Sequence, residues 1–129
     1  MAEIETTSVE GADLPDDGRE LALHAARTAD DKKGEDILIL DVGDVLAIAG
    51  WFVVVSASNS RLVESVADDI EAAAKADLGR SPVRTEGHRE KQWILIDYGD
   101  VIVHVFHQEM REFYEIERLY GDVPRLKWN

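Results

Sequence analysis

Hydrophobic positions are densest between residues 92 and 107, which read Gln-Trp-Ile-Leu-Ile-Asp-Tyr-Gly-Asp-Val-Ile-Val-His-Val-Phe-His. Two β-rich runs, 93–97 and 101–106, flank a short polar break at Tyr98-Gly99-Asp100. That arrangement predicts a hairpin. Side chains alternate across a strand. Trp93, Leu95 and Asp97 therefore share one face of the first run, and Ile94, Ile96 and Tyr98 the other. In the second run Val101, Val103 and Val105 oppose Ile102, His104 and Phe106. Both faces are mostly apolar, so the hairpin should be covered on both sides, inside a layered α/β domain.

The remaining pattern supplies that cover. Leu21, Ala22, Ala25, Ala26 and Ala29 recur at three- and four-residue spacing and predict a helix from about residue 19, capped by Asp16 or Asp17 and stopped near Gly34. Its small-residue face suits close packing on a sheet. Residues 36–41 and 51–56 are nearly continuous apolar runs and read as buried strands. Between them, Val45, Leu46 and Ile48 form either a helical turn or an irregular connection. Ser58-Asn59-Ser60 offers N-cap chemistry. The helix after it carries Leu62, Val63, Val66, Ala67, Ile70, Ala74 and Leu78 on one stripe, with Gly79 as stop. A short strand at 82–85 would complete a strand–helix–strand crossover, and with it a parallel pair. Residues 109–120 predict a third helix, with Met110, Phe113, Ile116 and Tyr120 on one face and Gly121 as stop. Trp128, in the tail, is large enough to dock against the fold. The expected fold is α/β (α+β): a mixed five-stranded sheet with three helices.

Composition bounds the function. At 129 residues the chain is expected to form one domain over 19–129, after a disordered acidic lead-in over 1–18. It has no cysteine, which excludes disulfides, thiol catalysis and a Cys-based zinc site. No apolar run approaches the roughly 20 residues needed to span a bilayer, and no signal peptide is legible. A soluble, cytoplasmic protein is expected. The net charge of −13 disfavours direct binding to nucleic acid or an anionic membrane, and would attract a basic protein partner.

Candidate chemistry is sparse. Asp41 and Asp44 flank a turn, as do Asp97 and Asp100, and acidic pairs at strand ends can hold Mg²⁺ for phosphoryl transfer. There is no phosphate-binding glycine loop and no Asp-x-Asp pair, and turn aspartates have a structural job with local amides. His104 and His107 sit on opposite faces of one strand, and no third ligand is specified. His24 reads as a surface or packing residue, and Ser56, Ser58 and Ser60 as caps. No cofactor and no metal site are expected. Tyr98 is either an aromatic displayed at the turn as a contact point or a cap on the core edge.

Residues 93–106, followed by Glu109-Met-Arg-Glu-Phe-Tyr-Glu-Ile-Glu-Arg-Leu-Tyr-Gly-Asp, resemble the signature of the ribosomal silencing factor family, also called Iojap. Asp31-Lys-Lys-Gly-Glu-Asp-Ile, Ser58-Asn-Ser-Arg and Val83-Arg-Thr-Glu-Gly agree, and the likeness covers about residues 19–126. Ala49-Gly50-Trp51-Phe52 departs from it, since the family has Asp-Tyr-Phe there. The resemblance implies a nucleotidyltransferase-like sheet without catalysis. It also implies binding to the large ribosomal subunit through its fourteenth ribosomal protein, a steric block to subunit joining, and lower translation under nutrient limitation. The family's contact positions fall on Trp93, Asp97, Tyr98 and Asp100, with the aromatics as anchors and the aspartates as acidic contacts or turn residues. The alternatives are a metal-dependent nucleotidyltransferase-like enzyme using Asp41 and Asp44, and a homodimer joined through the hairpin's two apolar faces.

Overall fold

A computed structural model describes residues 18–46 and 49–129. The expected lead-in, its capping aspartates and Ile48 lie outside the described residues. Small residues set the position of α1 (Arg19–Asp31). Leu21, Ala22, Ala25, Ala26 and Ala29 are all buried, so the helix lies close on the sheet. Its end differs from expectation. Lys33 takes the left-handed conformation (φ 73°), and Gly34 serves a close approach instead. A Cβ on Gly34 would stand 2.7 Å from Val55 Cγ1 and 2.9 Å from the Ala29 carbonyl oxygen.

The strands are β1 (Glu35–Asp41), β2 (Trp51–Ala57), β3 (Arg84–Glu86), β4 (Trp93–Asp97) and β5 (Val101–His107), and their order in the sheet is β1-β2-β5-β4-β3. Among the described strands β2 pairs with β5 in parallel, and the other pairs are antiparallel. A parallel pair was expected across α2 (Ser60–Leu78), but the strand after that helix lies at the far edge, beside β4. Burial explains the order. β2 is buried along its whole length and β5 nearly so, which suits central strands, whereas the three-residue β3 carries Arg84 and Glu86. Short, charged strands suit an edge.

β1 was expected to be buried but forms the other edge, and its first two residues are exposed. The C-terminal tail protects the rest. Asp41 N donates to the Pro124 carbonyl at 2.8 Å, and Leu126 N to the Ile39 carbonyl at 2.9 Å. Trp128 docks beyond them, its indole N–H 3.1 Å from the Ile37 carbonyl. The segment after β1 begins as a hydrogen-bonded turn, with Leu46 N on the Val42 carbonyl at 2.8 Å.

Helix α2 follows expectation. Asn59 Oδ1 caps Leu62 N at 2.8 Å, and Gly79 ends the helix at φ 65°. Helices α1 and α2 cover one face of the sheet, where Ile94, Ile96, Val101, Val103 and Val105 are fully buried. The opposite face holds Leu40, Phe52, Val54 and Phe106 under two short helices, α3 (Gln108–Tyr114) and α4 (Ile116–Leu119). A single helix was expected there. Glu115 breaks it at φ 47°, ψ 51°, a conformation that costs a non-glycine residue on the order of 1–3 kcal/mol. The break turns Ile116 into the core and leaves Phe113 outside, 76% exposed.

Candidate functional site

The hairpin forms as the sequence predicts. Tyr98 N donates to the Val101 carbonyl at 2.9 Å, and Gly99 supplies the positive φ (91°) that a mirror-image hairpin turn needs. Its two faces carry different chemistry. On the α3–α4 face, Trp93 is half-buried. Its ring stacks on Phe106 at 4.6 Å and meets Tyr114 at 5.0 Å. Its indole N–H donates to His104 Nδ1 at 3.2 Å. His104 is 4% exposed, and burial holds its pKa down at about 4, so the ring is neutral at physiological pH. Accepting from Trp93 at Nδ1 puts the ring proton on Nε2, which has no partner among the described residues.

Outward from Trp93 the cover thins. Tyr114 is 46% exposed and packs edge-on to Phe113 at 5.2 Å; Leu119 is 77% exposed. Exposed Glu109, Glu112 and Glu115 belong to the same two helices and their junction. Arg111, buried beneath them, donates to Ser56 Oγ at 2.8 Å and pairs with Glu117 at 3.3 Å. Next to it opens a cleft of about 740 Å³ whose lining includes Asp36, Gln108, Glu112 and Glu115. The exposed aromatic pair, the acidic rim and the buried arginine were not foreseen. The sequence pattern places Phe113 on one helix face with Ile116, and no sequence signal marks the break at Glu115 that separates them.

The four residues expected to make contacts do not form one patch. Tyr98 lies on the α1–α2 face and is only 5% exposed, so it caps the core edge and is not displayed at the turn. The Arg80 guanidinium sits 5.8 Å over its ring. Burial, then the Glu71 charge, push its hydroxyl up to about 12 despite Arg80. Asp97 Oδ1 accepts from Gly99 N at 2.8 Å, and its other oxygen meets Arg84 Nε at 3.2 Å. Asp100 pairs with Arg80 at 2.7 Å. The Asp100 carbonyl also accepts from Gly50 N and Trp51 N, so the segment that departs from the family pattern is tied to the hairpin turn. Both aspartates thus serve the turn.

The catalytic candidates are engaged locally or exposed. Asp41 Oδ1 accepts from Gly43 N at 3.2 Å, and Asp44 is exposed. Neither belongs to the one group of three metal-ligand side chains found among the described residues. His107 Nδ1 accepts from Glu109 N at the start of α3, while His104 is committed to Trp93. His24 bonds Asp77 at 2.9 Å. Ser60 Oγ accepts from Gln92, and Asn59, not a serine, caps α2.

A protein-family model described as ribosomal silencing factor during starvation matches residues 15–129. The chain belongs to the ribosomal silencing factor family. The Bacillus subtilis ribosomal silencing factor is 39% identical over 100 residues, which cover 78% of this chain and 84% of that one. The Halalkalibacterium halodurans factor is 35% identical over 109 residues, covering 84% and 92%. The chloroplastic protein Iojap of Arabidopsis thaliana is 27% identical over 118 residues, 49% of its own length. A crystal structure of a Chromobacterium violaceum protein aligns with a TM-score of 0.76 at 33% identity, covering 79% of this chain and 84% of that one. A Bacillus halodurans structure aligns at 0.73 and 31%, covering 84% and 97%. The expected fold class agrees with these ribosomal silencing factor relatives. The family name ties the chain to the ribosome and to silencing of translation, and it names no enzyme class. Among the described residues no helix is long and apolar enough to cross a membrane.

Proposed function

We propose that this protein binds the large ribosomal subunit through the subunit's fourteenth ribosomal protein, blocks joining of the two subunits by occupying the surface between them, and so lowers translation under nutrient limitation. It acts by occlusion and catalyses nothing. The reading rests on family membership, and one observation supports a docking face for it. Trp93, Tyr114 and Phe113 form a continuous aromatic cluster that runs from the sheet to solvent. Aromatic anchors of this kind dominate protein interfaces. Glutamates flank the cluster on a chain of net charge −13, which suits a basic ribosomal protein and speeds its encounter.

In this reading Trp93 is the half-buried anchor, Asp97 holds the turn on the same face, and Phe113 and Tyr114 widen the contact. Tyr98 and Asp100 act indirectly, by fixing the hairpin through Arg80. The protein works in the cytoplasm, where ribosomes are found. A homodimer need not use the α1–α2 face of the hairpin, which is covered within one chain. A dimer built on the exposed Phe113 and Leu119 would compete with docking; sedimentation equilibrium distinguishes monomer from dimer.

The test is co-sedimentation with separated large and small subunits, followed by addition of the missing subunit and a gradient. The expected result is binding to the large subunit alone and fewer joined particles. Binding to neither subunit, or binding with no effect on joining, overturns the reading.

A further inference from the structure

Away from that face, α2 presents Asp68 and Glu71 one helical turn apart, opposite His88 from the β3–β4 loop. His88 Nε2 stands 3.8 Å from Glu71 Oε2 and 4.0 Å from Asp68 Oδ1, and the three donor atoms lie within 4.8 Å of one another. Those separations are too long for hydrogen bonds. They come close to the spacing of ligands on a shared ion: bonds of about 2.0–2.2 Å at tetrahedral angles put ligand atoms roughly 3.4 Å apart. The loop is held in register. Gly87 has φ 93°, and a Cβ there would stand 2.0 Å from the Trp93 carbonyl oxygen, so only glycine fits. Lys91 N donates to the Gly87 carbonyl at 3.0 Å, and Lys91 Nζ meets Glu64 of α2 at 3.1 Å. His88 is therefore presented to α2 by a turn tied down at both ends.

A second observation comes from the same side of the sheet, where Tyr98 shares a core with the buried face of α2. The Tyr98 hydroxyl is buried without a hydrogen-bond partner among the described residues. The Glu71 carboxylate is near enough for its charge to help keep that hydroxyl protonated. Two carboxylates and one imidazole converging from a helix and a loop are a set that a cation would bridge.

We propose that Asp68, Glu71 and His88 form a binding site for a divalent transition-metal ion of the zinc class, with its remaining coordination position open to water. One imidazole and two carboxylates suit such an ion better than the all-oxygen shells of Ca²⁺ or Mg²⁺. The ion fastens the β3–β4 loop to α2 immediately before β4. This site is independent of the docking face.

Zn²⁺ titrated calorimetrically into the full chain tests it, with His88→Asn and Glu71→Gln alongside. Both side chains are partly exposed, so the variants fold; circular dichroism confirms this before titration. The expected result is saturable binding of one ion per chain, weakened roughly tenfold or more in each variant, and a Zn²⁺-dependent rise in melting temperature that His88→Asn lacks. Absence of saturable binding to the wild type overturns the proposal. So does binding that both variants retain, which would mean that the ion sits elsewhere.

Discussion

The two faces of one sheet are built to different specifications. Under α1 and α2 the face is mainly aliphatic, sealed by long helices whose small residues allow close approach, and the Tyr98 hydroxyl and His24 Nδ1 are buried there without a partner among the described residues. Under α3 and α4 the face is aromatic. It buries a histidine and an arginine, and its cover is a seven-residue helix, a strained break and a four-residue helix. The first face supplies stability. The second gives up cover and so leaves large apolar side chains available to a partner. An exposed aromatic patch beside a well-packed core is what a docking protein needs, and what a purely structural layer would avoid.

The sharpest way to break this comparison is to excavate the sealed face. Ile70→Ala should cost about 2–5 kcal/mol, read from urea unfolding, because the position is fully buried. The folded variant should still sediment with the large subunit. Loss of binding at concentrations where it is folded would mean that the two faces are not separable.

Next in size is a pH effect confined to the aromatic face. His104 titrates near pH 4 when folded and at 6.5 when unfolded, so the unfolded chain binds the extra proton between those values. Its contribution is complete above pH 6.5 and disappears as pH falls toward 4, a difference of about 3 kcal/mol. Wild type should therefore lose more stability between pH 7 and 4.5 than His104→Gln does. Parallel profiles would contradict the buried neutral ring.

Asn59→Ala removes the α2 cap and should cost about 1 kcal/mol, with docking unchanged. The smallest stability effect should belong to Phe113→Ser, within about 0.5 kcal/mol of wild type because the side chain is 76% exposed. That variant should nevertheless bind the large subunit less tightly, in the same co-sedimentation assay. If it instead unfolds as readily as Ile70→Ala, the thin face is core after all.

Several elements were legible because their cause is local. The hairpin follows from alternation around a glycine turn, and α2 from its 3.6-residue stripe between Asn59 and Gly79. The stripe on α1 was equally plain. The family signature could be read from contiguous residues and led to the functional class. The candidate site was legible in part. Trp93 could be singled out from its place in the hairpin, but its neighbours Phe113 and Tyr114 could not, because their exposure depends on a break at Glu115 that has no glycine or proline to announce it.

Sequence alone thus determined the strands, the two long helices, both apolar hairpin faces and the acidic surface, since each depends on spacing or composition within a short window. Tertiary structure decided the rest. Periodicity gives a strand's faces but not its neighbours, so the central place of β5 and the tail pairing on β1 emerged only once buried area could be compared between strands. An aromatic beside a turn can point either way, and packing against α2 sent Tyr98 inward. The meeting of Asp68, Glu71 and His88 joins a helix to a loop that the chain reaches some twenty residues later. Contacts at that separation depend on how the elements stack, which no local pattern encodes.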